Sequence, residues 1–263
     1  MATTTTDIDA RDWQGRLLEC VGCERLPERA RGRCRLGHAC VHDRYARRID
    51  RFFRWNPQLA KEYLGHPYFE TRAVAAKYVE VFLLPRLLSD PDETVRQSVA
   101  QRLPQNSRHL KALRRDPHRE VRIRVAERLA LADLAGMIDD PDYYVRQIVA
   151  RRVPTSLLVR MLHDPDPEVR KVVARRAAAE WLPTLADDPD RVVRLEALRR
   201  MDKESLKRYR QDPDWRVRYE VALRLDPADL ESMRLDPEPA VRELVEQRRA
   251  ASETGVHPWP KAC

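Results

Sequence analysis

Asp140–His163, DPDYYVRQIVARRVPTSLLVRMLH, is the unit on which most of this chain is built. With its Asp taken as offset 0, the same 24-residue frame begins again at Asp164, Asp188, Asp212 and Asp236, and earlier at His66, Asp90 and Asp116. Only the frame from Asp90 is longer, by two residues. A fixed period of this length marks a stacked array in which each copy is one supersecondary unit covered by its neighbours. Function then reduces to what the stack carries and which face it uses.

Pro167 and Pro239 at offset 3 place the start of a helix, because Pro suits the first helical position, and Asp166 and its equivalents at offset 2 are the expected caps. Pro104 and Pro154 at offset 14 end it near offset 13. On a wheel of 100° per residue, offsets 5, 9, 13 and 10 form one apolar sector, which in the quoted unit is Val145, Val149, Val153 and Ala150. Small Ala at offset 10 (Ala76, Ala100, Ala126, Ala150, Ala174, Ala222) permits close approach of stacked helices. The second element, about offsets 16 to 22, carries Leu157, Leu158, Met161 and Leu162 and is too short for an independent α-helix, so a 3₁₀ turn is expected. No segment alternates with period two long enough to form a strand. The fold class is therefore an all-α repeat solenoid.

The remaining boundaries follow from the frame. Residues 1–10 form a polar leader expected to be disordered, and 11–41 a four-cysteine module. Residues 42–65 are a degenerate first copy whose Phe52, Phe53 and Trp55 dock that module, and 66–249 hold the regular copies. Glu246 and Arg249 replace apolar residues at offsets 10 and 13, as suits the last copy of an array, and 250–263 is expected to be a flexible tail. No apolar run is long enough to span a membrane, and MATTTTDIDARDW lacks the pattern of a secretory signal, so a cytoplasmic protein without membrane association is expected. The net charge of +8 permits acidic partners, and the excess is densest at the start: residues 1–54 hold twelve Arg, no Lys and eight Asp or Glu.

Four of the five cysteines, Cys20, Cys23, Cys34 and Cys40, fall within 21 residues in the pattern Cys-x2-Cys-x10-Cys-x5-Cys, whereas Cys263 stands alone at the end. In a cytoplasmic chain such clustering reads as a metal or cluster site rather than a disulfide framework. Gly22 frees the tight turn that lets Cys20 and Cys23 converge. The residues alone leave zinc and an iron–sulfur cluster both open, since the wide second spacing weakens a zinc ribbon and a cluster tolerates it. His38 and His42 flank Cys40 and read as neighbours of the site rather than ligands. Six arginines from Arg16 to Arg35 offset the negative charge of four thiolates.

A four-cysteine module followed by units of the form DPDxxVRxxVAxRLPxxLLxxL resembles the leucine-rich repeat variant family over residues 12 to 250 or so. The resemblance implies a 4Fe-4S cluster on Cys20, Cys23, Cys34 and Cys40. It also implies alternating α- and 3₁₀ helices in a right-handed superhelix.

Arg stands at offset 6 in all nine copies (Arg48, Arg72, Arg96, Arg122, Arg146, Arg170, Arg194, Arg218, Arg242) and at offset 12 in eight, with Tyr78 the exception. Such rows could track a nucleic-acid backbone. Offset 6 nevertheless lies inside the packed sector, where a guanidinium needs a fixed partner, and the Asp at offset 0 of its own or the next copy supplies one. Offset 12 lies at the sector's edge and is the better binding-surface candidate of the two, though a solvated face with surface ion pairs is the favoured reading of that row. There is no phosphate loop, nucleophile elbow or HExxH pair, so no enzyme and no small-molecule substrate is expected. The sequence reads as a non-enzymatic iron–sulfur protein, its cluster redox-active or sensing, on a solenoid that binds another protein. The alternatives are a nucleic-acid-binding solenoid with a structural metal and an electron-transfer partner of a metabolic enzyme.

Overall fold

The computed structural model describes residues 9–254. The expected leader up to residue 8, the tail from residue 255 and Cys263 lie outside them. The chain divides into two compact units, Met1–Leu134 and Ala135–Cys263. Among the described residues there is no strand, only the isolated antiparallel bridges Arg11–Leu17 and Arg35–Ala39. No described helix is long and apolar enough to cross a membrane.

In the first unit, α-helices Ala46–Trp55, Phe69–Ala75, Glu93–Arg102 and Arg119–Arg128 are separated by short second elements, of which Pro57–Tyr63 and Val81–Leu87 are 3₁₀. In the second unit, α-helices Tyr143–Arg152, Pro167–Arg176, Arg191–Leu198, Trp215–Arg224 and Pro239–Thr254 are likewise separated, with Thr155–Met161 and Pro227–Met233 as 3₁₀ helices. The alternation is imperfect. The second element opens with an α-turn at Arg108–Ala112 and at Lys203–Leu206, where Ser107 and Asp202 cap it, and closes with one at Leu182–Ala186, where Pro183 stands in the first turn. A local cap or proline thus tips so short a segment between two helix types of similar energy. The last helix also runs on through residues 250–254, into the expected tail.

The caps are where the Asp-Pro-Asp motif places them. Asp92, Asp142, Asp166, Asp190 and Asp214 each accept an amide hydrogen from the first turn of the helix they precede. The apolar sector is fully buried: Val145, Val149, Ala150 and Val153 have no exposed surface, nor do Ala76, Ala100, Ala126, Ala174 and Ala222. Thr71 occupies offset 5, where the quoted unit has Val145, and its buried hydroxyl makes no hydrogen bond.

The offset 6 arginines form a ladder. In the first unit Arg72 pairs with Asp90 and Arg96 with Asp116; in the second, Arg146 with Asp164, Arg170 with Asp188, Arg194 with Asp212 and Arg218 with Asp236. Each contact is bidentate: in the Arg218 rung Nε donates to Oδ2 at 2.7 Å and Nη2 to Oδ1 at 2.8 Å. The remaining nitrogen, Nη1, turns back to the carbonyl of Asp212 in the same copy at 2.8 Å. Each Asp carboxylate also accepts the amide two residues on, as Asp236 does from Glu238 at 2.8 Å. One carboxylate therefore closes its own turn and holds the copy before it. This is the geometry for which a planar guanidinium is suited and an ammonium is not. In the first copy, which has His66 where an Asp would follow, Arg48 takes Asp43 of its own copy at 2.8 Å.

The offset 12 row differs from its expected role. These side chains are not a free surface but reach back to carbonyls at the end of the preceding helix. Arg102 donates to Ala76 at 3.0 Å and Val79 at 2.5 Å. Arg200 donates to Ala174 and Ala177, both at 2.7 Å, and Arg176, Arg224 and Arg248 repeat the pattern. The last turn of a helix leaves carbonyls unpaired and carries partial negative charge, which a guanidinium satisfies on both counts. Arg54, at the start of the row, instead bonds Asp50 of its own helix at 3.0 Å.

Candidate metal centre

The cysteine module is built from turns that glycine permits. Cys23 donates its amide to the Cys20 carbonyl at 3.4 Å across a turn in which Gly22 has φ +72°. A side chain at Gly22 would meet nothing within 4 Å, so the backbone angle rather than space requires glycine there. The Arg25 amide then points at the Cys23 sulfur at 3.4 Å. The wide spacing between Cys34 and Cys40 is a small closed turn: Arg35 and Ala39 exchange amide–carbonyl bonds, both at 2.8 Å, around Gly37 at φ +69°.

Cys34 and Cys40 are buried, Cys20 and Cys23 half-buried, and all four are free thiols. Cys34 and Cys40 share a hydrogen bond, which lowers the Cys34 thiol against the opposing effects of burial and of the charges of Cys23, Cys20 and Glu28. The same bond, with burial, raises Cys40. Among the described residues no three His, Cys, Asp or Glu side chains converge to hold a single metal ion. The donor set itself fits an iron–sulfur group: four reduced thiols, half of them shielded from water, with a backbone amide aimed at one sulfur.

The first copy clamps this module at three points. Asn56 donates its side-chain amide to the Arg33 carbonyl at 2.8 Å and to Phe52 at 2.9 Å. Arg51 contacts both the Nδ1 and the carbonyl of His38 at 2.9 Å, and Trp55 packs on the same ring at 5.7 Å. Tyr63 donates to Glu24 at 2.8 Å and accepts from Arg25 at 2.6 Å, while Arg25 also binds Glu62 at 2.7 Å. Phe52 and Phe53 are fully buried. His38, with Nδ1 engaged and its pKa lowered by burial and by Arg51, Arg35 and Arg48, stands as a neutral neighbour of the site. His42, lowered chiefly by burial, lies edge-on to Tyr63 at 6.4 Å. Sequence reasoning missed Asn56, Tyr63 and Glu24: each is an isolated residue whose partner lies far along the chain, so no spacing betrays it. Of the six compensating arginines, Arg25 is spent on this clamp and Arg16 on Asp12 at 2.8 Å.

Comparison with known proteins places both parts of the chain. Residues 10–62 match the family model described as "LRV protein FeS4 cluster", which takes in all four cysteines, and residues 143–166 match that of the leucine rich repeat variant. An uncharacterized 27.7 kDa protein in the nifB 3′ region of Rhodobacter capsulatus is 55% identical over 93 residues. That match spans 35% of this chain and only 38% of the relative. A solved structure described as a leucine-rich repeat variant with a novel repetitive protein structural motif is 41% identical and superposes with a TM-score of 0.83, over 88% of this chain and 98% of that one. With the Asp–Arg ladder, the alternating helices and the four-cysteine module all in place, this chain belongs to the leucine-rich repeat variant family.

Proposed function

We propose that this protein is a non-enzymatic, cytoplasmic iron–sulfur protein in which Cys20, Cys23, Cys34 and Cys40 hold a 4Fe-4S cluster, and that its repeats bind a partner protein. The observation that carries the reading is the gathering of four free thiols, two of them buried, inside the stretch that matches the cluster family model. When bound, such a cluster supplies reversible one-electron chemistry. This chain's part is to present the sulfurs from two glycine turns and to clamp them to the first copy through Asn56, Arg51 and Tyr63. A protein partner is favoured over nucleic acid because the arginine rows that suggested a phosphate track are bonded to carboxylates and carbonyls of the chain itself.

The test is anaerobic purification followed by iron and acid-labile sulfide analysis with visible and EPR spectra. The expected result is a brown protein with about four irons and four sulfides per chain, bleached by reductant. Serine at Cys34 or Cys40 should abolish the colour. A colourless protein carrying one zinc would overturn the reading.

A further inference from the structure

We infer that the surface of the cysteine module is the docking site for an acidic electron-carrier protein, which exchanges electrons with the proposed cluster. The inference rests on the cluster reading above and adds a surface and a partner to it.

The first observation is a contrast in how arginines are used. In the repeats, the offset 6 and offset 12 guanidinium groups are consumed by the ladder and by helix ends, and the exposed ones outside those rows, such as Arg86, Arg108, Arg115 and Arg151, are scattered singly along the chain. On the segment that leads into and out of Cys34, by contrast, Arg29, Arg31, Arg33 and Arg35 are all exposed, and none of the four is joined to a carboxylate among the described residues. Four like charges within seven residues cost self-repulsion, which offsetting the nearby thiolates repays only in part.

The second observation is apolar. Leu17, Val21, Leu26 and Leu36 are exposed, Val21 at 91%, in the turn between Cys20 and Cys23. Water-exposed apolar residues interleaved with unpaired arginines are the make-up of a protein-docking patch, apolar within and charged around. A nucleic-acid backbone would use the arginines and leave Val21 and Leu36 without a purpose. Charge complementarity therefore selects an acidic protein. Its being an electron carrier follows from position, because the patch lies on the stretch that contains Cys20, Cys23 and Cys34, and electron transfer falls off steeply with distance. Such encounters are small and charge-guided.

The cluster-loaded full chain is titrated at low salt with an acidic plant-type [2Fe–2S] ferredoxin, with basic cytochrome c and with duplex DNA. Wild type is compared with the Arg29→Ser/Arg31→Ser/Arg33→Ser/Arg35→Ser variant, with Val21→Ser, and with Arg160→Ser, whose side chain lies in the repeats. Saturable binding of the ferredoxin alone is expected, weakened about tenfold or more by the quadruple variant and by salt, and unchanged by Arg160→Ser. Val21→Ser is expected to weaken it about threefold without altering the salt dependence. The visible spectrum of each sample is read before titration. A colourless wild type overturns the cluster reading and this inference together. A coloured wild type that fails to bind the ferredoxin, binds DNA as tightly, or is indifferent to both Val21→Ser and the arginine changes overturns this inference alone. If the quadruple variant loses its colour, Val21→Ser and the salt dependence of wild type decide.

Discussion

Arg218→Ala should detach the last copy from the stack. Arg218 makes four hydrogen bonds: two to the Asp236 carboxylate at 2.7 and 2.8 Å, and two to the carbonyls of Asp212 at 2.8 Å and Pro213 at 3.4 Å. The paired side chains are 10% and 4% exposed, so the substitution leaves a desolvated carboxylate supported by the Glu238 amide and by the charge of Arg242 alone among the described residues. Breaking one partner of such a pair costs about 3–5 kcal/mol, because an uncompensated charge stays behind. In a stack of nearest-neighbour contacts that cost falls on one joint, the one joining the helix Pro239–Thr254 to the copy before it. Amide hydrogen exchange across that helix should accelerate by about a hundredfold or more, the equivalent of 3 kcal/mol, while Tyr143–Arg152 keeps its protection. Arg208→Ala, which removes an exposed pair with Asp187, is the control and should cost at most about 1 kcal/mol. The double variant Arg218→Met/Asp236→Asn, which removes both charges, should recover most of the loss. If Arg218→Ala changes exchange of the last helix no more than Arg208→Ala does, the ladder is ornament and the account of the stack is wrong.

The same rung predicts a pH dependence. Burial would raise Asp236, but its bonds from Arg218 and the Glu238 amide outweigh that and hold it below the usual carboxylate range, and Asp90 beside Arg72 behaves alike. A lowered folded pKa means stability that is complete above the unfolded value and lost as pH falls through the folded one. The difference in urea midpoint between wild type and Asp236→Asn should therefore be constant from neutral pH to about 5 and close below about 4; a gap that stays constant into acid would refute it. Arg200→Leu should destabilise by about 1–2 kcal/mol in urea titration, since the Ala174 and Ala177 carbonyls lose their donor, and a neutral outcome would mean that water serves them equally well. Thr71→Val should raise stability by about 1 kcal/mol by removing a buried hydroxyl with no partner, and a lower thermal midpoint would show that the hydroxyl is satisfied after all. Gly22→Ala should cost about 1–2 kcal/mol through its backbone angle alone, read as lower iron content per chain; full cluster loading would show that the Cys20–Cys23 turn can open without loss.

The repeat was legible because three kinds of information coincide at fixed offsets. Asp166 caps, Val169 and Val173 pack, and Arg170 reaches Asp188, so each offset carries one physical duty and the period exposes it. The offset 12 row was misjudged for a definite reason. A helical wheel gives the direction of Arg200 about its own axis but says nothing of the Ala174 and Ala177 carbonyls of the preceding helix, which only the stacked structure brings within reach. The mixed second elements were missed because Ser107 and Asp202 cap at positions that the quoted unit does not use. At the cysteine module the ligand set could be read from spacing, whereas the clamp of Asn56, Arg51 and Tyr63 could not, being assembled from residues 13 to 39 positions away from their partners.

The longer copy shows where the chain tolerates extra length. Arg96 reaches Asp116 across 20 residues where Arg146 reaches Asp164 across 18, yet both contacts close at 2.7 Å. The surplus sits between Pro104 and the Ser107 cap. Registration is thus enforced by charged groups meeting from copy to copy and not by the count of residues connecting them. The corner after offset 14 is accordingly a splice point, where a foreign peptide could be inserted and carried by the scaffold without any rung being moved.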